Sequence, residues 1–91
     1  MGEFMKDKLI KNYIDKLSIE DLEKFANSKS ILLTNSELNY VYSTIKNNWE
    51  TIIYGNPTNI FNEAKENLNT HSYNKIIDLY NLYKIKYQNF L

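Results

Sequence analysis

A helical pattern running the length of the chain predicts an all-α fold: one compact domain of about five helices, two long and three short. Three observations carry this expectation. Apolar residues recur at three- and four-residue spacing, alternating strand-like runs are scarce, and only two glycines and one proline interrupt 91 residues. A chain this short has no room for a second core, so residues 5–91 read as a single helical domain. Residues 1–4, "MGEF", read as a vector-derived addition ahead of a natural start at Met5.

The elements follow in order. Leu9, Ile10, Tyr13, Ile14 and Leu17 make one apolar face over about residues 5–17. Ser18 opens "SIED", which is close to a capping box with Asp21 in the place of the usual glutamate. Leu22, Phe25 and Ala26 then face inward, and the helix stops near Asn27 or Ser28. "SKSILL" reads as a short extended connector. "LTNSEL" is the clearest local signal: Thr34 caps, Glu37 completes the box, and Leu33 with Leu38 forms a hydrophobic staple. Leu38, Val41, Tyr42, Ile45, Trp49, Ile52 and Ile53 continue as one stripe until Gly55 and Pro57 end the helix. Asn56 or Thr58 caps the fourth helix, with Pro57 in its first position if Asn56 is the cap. Ile60, Phe61, Ala64 and Leu68 are its apolar face. Asn69 or Thr70 caps the last helix, about 71–89, whose main stripe is Tyr73, Ile76, Ile77, Tyr80, Tyr83 and Tyr87. A second row, Leu79, Leu82 and Phe90, widens that stripe.

Composition narrows the function classes. The chain is 43% hydrophobic and 24% charged, which is globular rather than disordered. Net charge is zero, and all 11 basic residues are lysine. Arginine, the preferred fork for phosphates and guanine edges, is absent. Lysine, asparagine, isoleucine and tyrosine share AT-rich codons, so a low-GC genome accounts for much of the bias. With no cysteine, disulfides, thiolate nucleophiles and cysteine metal sites drop out. No apolar run approaches the roughly 18 residues of a membrane span, and no leader pattern opens the chain. Asn56-Pro57-Thr58 has proline where a glycosylation acceptor forbids it. A cytoplasmic protein is expected.

Chemistry-bearing patterns are few. The one histidine, His71, lies before the last helix with Glu63 and Glu66 upstream, but no paired histidine spacing joins them. It reads as a surface residue near a helix start. Glu20, Asp21 and Glu23 crowd the first turn of the second helix, where negative charge complements the helix dipole. There is no G-x-S-x-G, and Gly2 and Gly55 lie too far apart for a phosphate loop. The expectation is a non-enzymatic protein with no cofactor and no metal site.

Two surface readings remain. The tail "YNLYKIKYQNF" interleaves tyrosines with Lys84 and Lys86, a pattern that can stack bases and touch phosphates. Helical spacing of the tyrosines, zero net charge and the lack of arginine weigh against nucleic acid. The leading reading is a protein-protein interaction or accessory module, with a homodimer as one form of it. Its candidate face is Leu79, Leu82, Tyr83, Lys84, Lys86, Tyr87 and Phe90, since the last helix carries more apolar rows than so small a bundle needs. The only tryptophan, Trp49, shares the third helix's apolar stripe and reads as core, with its indole N–H toward the edge.

With "ILLTNSELNYVYSTIKNNW" and "NPTNIF" in place, the chain resembles small uncharacterised proteins of low-GC Gram-positive bacteria and mollicutes, the YqfT-like family of unknown function among them. The resemblance spans most of the chain from Met5. It implies no activity and no functional residues.

Overall fold

Thr34 and Glu37 do locally what their spacing predicts. In the computed structural model, which describes the backbone of residues 2–87 and the side chains of residues 8–85, Glu37 N–H donates to Thr34 Oγ1 at 3.2 Å, and Thr34 N–H donates to Glu37 Oε1 at 3.0 Å. That box starts the longest helix of a five-helix, single-domain fold. The helices are α1 (Gly2–Lys16), α2 (Ile19–Ser28), α3 (Asn35–Tyr54), α4 (Thr58–Asn67) and α5 (Thr70–Tyr87). Helix α3 is central and packs against α1, α2 and α4, while α5 packs on α4. None of the helices among the described residues is long and apolar enough to cross a membrane.

The caps explain most boundaries. Ser18 and Asp21 form a complete capping box despite the short acid: Asp21 N–H donates to Ser18 Oγ, and Ser18 N–H to Asp21 Oδ2. Helix α2 ends in a motif that the sequence hides. Ser30 N–H donates to Asn27 O and Ile31 N–H to Ala26 O, with Ser30 in the left-handed region at φ 60°. This is the Schellman arrangement, which normally puts glycine at that position. Ile31, pulled back over the last turn, is 3% exposed and the most buried apolar residue described.

Helix α3 stops at Gly55, whose φ of −110° is ordinary. A Cβ there would lie 3.1 Å from Thr51 O and 3.2 Å from Thr51 Cα, so close approach to the last turn is what favours glycine. Pro57, not Asn56, is the N-cap of α4. Asn56 Oδ1 instead folds over the turn, accepting from both the N–H and the hydroxyl of Thr58.

The core is small and sits around the first half of α3. Ile14, Leu22, Ala26, Ile31, Leu38, Ala64 and Leu68 are its buried apolar members. Three expectations about the core need correcting. Leu9 and Tyr13 are 65% and 66% exposed, because α1 packs on α3 alone; of its expected face Ile14 is buried and Ile10 and Leu17 are half-buried. Phe25 is 43% exposed, so α2 buries Leu22 and Ala26 alone. Beyond Leu38, the α3 stripe of Val41, Tyr42, Ile45, Trp49, Ile52 and Ile53 is half-buried. Trp49 is therefore neither a sealed core residue nor an exposed plate. A chain this short cannot cover five turns of one helix completely.

Polar groups on α3 compensate at its flank. Lys46 Nζ donates to the carbonyls of Ile14 at 2.6 Å and Asp15 at 3.2 Å, and the Tyr42 hydroxyl donates to Leu17 O at 3.0 Å. A cation thus closes the carbonyl end of α1, where the helix dipole is negative. Lys46 Nζ also lies 5.4 Å from the Tyr42 ring centroid.

These placements order the costs of substitution. Ile31→Ala is expected to cost about 3 kcal/mol and Trp49→Ala about 2 kcal/mol, because the indole is only half-buried. Chemical denaturation midpoints check the order, and the reverse order would contradict the core described here. Ser30→Gly relieves a left-handed serine and should gain up to about 1 kcal/mol. A loss on that substitution would argue against the Schellman end.

Candidate protein-docking face

Helix α5 presents two sides with different chemistry. Tyr73, Ile76, Tyr80 and Tyr83 fall on the side toward the bundle and are half-buried. Asn74, Asp78, Asn81 and Ile85 fall on the opposite, exposed side. Leu79 and Leu82 lie between the two, and the helix passes from cover into solvent across them.

Tyr80 is fixed by three neighbours. Its ring meets Phe61 edge-to-face with centroids 4.8 Å apart and planes at 69°. Its hydroxyl donates to Ile52 O at 3.4 Å, and Lys84 Nζ sits 5.9 Å above its ring. Tyr83 turns toward the end of α2. Lys29 Nζ lies 5.8 Å from the Phe25 centroid and 6.0 Å from that of Tyr83, so one ammonium bridges two rings on different helices. Lys75 Nζ, two turns earlier, donates to Ser30 O at 2.8 Å.

Of the residues expected on this face, the structure brings Leu79, Leu82, Tyr83 and Lys84 onto one end of α5. Leu79 and Tyr83 are half-buried, Lys84 is exposed, and Leu82 is 59% exposed. Lys86 and Tyr87 continue the helix, but their side chains lie outside the described residues, as does Phe90 entirely. Two exposed apolar residues nearby stand outside that expected set. Ile85 is 68% exposed one turn after Leu82, and Phe25, 43% exposed on α2, shares the Lys29 ammonium with Tyr83. Ile85 sits three residues after Leu82, a spacing masked by the stronger tyrosine pattern. Phe25 fits an inward helical register, and its sequence gives no sign that α5 stops short of covering it.

The other candidates separate. His71 is exposed in the first turn of α5. Among the described residues, no three histidine, aspartate or glutamate side chains gather where they could hold a metal ion. Glu20, Asp21 and Glu23 all remain exposed on α2. No family model, no curated protein and no solved structure matches the chain.

Exposure makes the face separable from the fold. Leu82→Glu and Ile85→Glu should each change stability by no more than about 0.5 kcal/mol. Tyr83→Ala should cost about 1 kcal/mol or more, since it removes the ring that Lys29 shares between two helices. A fall in thermal midpoint for Leu82→Glu as large as that for Tyr83→Ala would show Leu82 to be structural.

Proposed function

We propose that this chain is a small non-enzymatic interaction module that self-associates through the end of α5 and the adjoining end of α2. The observation carrying the reading is the pair Leu82 and Ile85, 59% and 68% exposed one turn apart on α5, with Phe25, 43% exposed, sharing the Lys29 ammonium with Tyr83. Large apolar side chains grouped on a surface favour a partner over water.

One further quantity supports a second copy as that partner. Net charge is zero, so two copies meet without long-range repulsion. The arrangement of lysines and tyrosines favours this over nucleic-acid binding. Lys84 lies over the Tyr80 ring, and Lys29 lies between Phe25 and Tyr83. Those contacts occupy the cations and ring faces that stacked bases and phosphates would need.

Sedimentation velocity across a concentration series tests the reading. The expected result is a monomer–dimer equilibrium that Leu82→Glu and Ile85→Glu abolish while the helical circular dichroism persists. A monomer at every concentration would overturn self-association. Salt-sensitive binding of random oligonucleotides by that monomer would establish the nucleic-acid alternative instead.

A further inference from the structure

The buried polar cluster at the start of α5 plays no part in the docking face, and its bonding leaves no place for a proton. Glu37 and Ser72 are the buried polar residues described. Glu37 Oε2 accepts from the Asn69 N–H at 2.7 Å and from Asn69 Nδ2 at 3.0 Å, while Oε1 accepts from the Thr34 N–H at 3.0 Å. Asn69 Oδ1 accepts from the Ser72 N–H at 2.8 Å, so Asn69 also caps α5. The Ser72 hydroxyl receives Asn69 Nδ2 at 3.0 Å and donates to Leu32 O at 3.1 Å. One carboxylate therefore joins three segments: the connector over residues 29–34, the first turn of α3 and the first turn of α5.

Each carboxylate oxygen faces donors only. A proton on either oxygen would point at an N–H, and the nearby acceptors are already engaged. Thr34 Oγ1 receives Glu37 N–H, Asn69 Oδ1 receives Ser72 N–H, and Leu32 O receives the Ser72 hydroxyl. Protonation displaces at least one of these donors, and a buried donor left without its acceptor is destabilising. The other polar ties of α5 lie nearer the surface or are long: Lys75 Nζ to Ser30 O is exposed, and the Tyr80 hydroxyl is 3.4 Å from Ile52 O.

We propose that Glu37 is an acid-released latch: protonating its carboxyl frees the start of α5 from the connector and α3 while α2 and α3 stay paired. No ionic partner competes for the role. The charged side chains of α2 and α4 are all exposed, as are Lys29 and His71. Lys75 is half-buried with its ammonium on Ser30 O. The backbone N–H groups of Thr34 and then Asn69 hold the Glu37 carboxyl below the usual carboxylate range. A folded value below the unfolded one, about 4.3, means the latch is fully closed above that pH. It is lost as pH falls through the lower folded value. Asp21 is also held low by Ser18, but that box lies within α2 and ties no second element.

A nitrogen-resolved NMR titration of the full chain from about pH 7 downward, with amide exchange measured at each step, tests the latch. The Thr34 and Asn69 amide signals should move together with one midpoint below the usual glutamate value. Exchange at α5 amides, corrected for the intrinsic rate, should rise about tenfold or more over that at α2 and α3. Glu37→Gln should show the same selective α5 exposure already at neutral pH. Amides of α3 and α5 losing protection in one shared transition would overturn the proposal, as would Thr34 and Asn69 signals that do not titrate. The wild-type titration decides the matter by itself if Glu37→Gln does not fold.

Discussion

Everything at the centre of this fold depends on keeping one carboxylate satisfied without a cation. Burying Glu37 removes its hydration, and a buried charge with no partner is among the costliest features a small protein can hold. Here two main-chain N–H groups, a side-chain amide and the geometry of two helix starts replace the water. Because both donors belong to helix N-termini, the negative charge also lies where two helix dipoles favour it. The tie places α5 beside the connector that Ile31 anchors in the core, and so sets where the rest of α5 can lie.

The same device recurs around α3 in weaker forms. The bundle buries few large side chains, and long polar ones reach across to carbonyls that packing alone would not organise. Lys46 and Tyr42 hold the end of α1, Lys75 holds Ser30, and Tyr80 reaches Ile52. Tyrosine and lysine suit this work because each buries an apolar stem and keeps a polar tip. Their abundance has a structural use here whatever the codon bias behind it. The resulting fold trades a dense core for cross-links at its rim, and leaves apolar surface at the far end of α5.

Much of this was legible in the sequence, and the failures share a cause. The five helices, the boxes at Ser18 and Thr34 and the stop at Gly55 are local features, set by residues within one turn of each other. The Schellman end of α2 is local too, but serine occupies the position where glycine would have announced it. Glu37 was visible as half of a capping box, and Asn69 as one of two candidate caps of the last helix. That they meet across 32 residues is a tertiary fact that neither spacing nor propensity encodes. The depth of burial along α3 was overstated for a similar reason. A stripe says which side faces the bundle, not whether a neighbour reaches far enough to cover it. The exposed end of α5 was partly legible: Leu82 stood out in a second apolar row, whereas the exposure of Phe25 and Ile85 depended on where α5 runs.

The Glu37 cluster has a consequence for how this chain can diverge. A salt bridge would tie an acid to a base, and the two positions would covary among relatives. Glu37 instead takes main-chain hydrogens at positions 34 and 69, which every residue but proline supplies. Backbone chemistry therefore excludes proline at both positions, while Thr34 and Asn69 also use their side chains, in the capping box and toward Glu37 and Ser72. An alignment of related sequences would show a solitary persistent acid with no matching base, and proline excluded from the two places whose N–H groups it relies on.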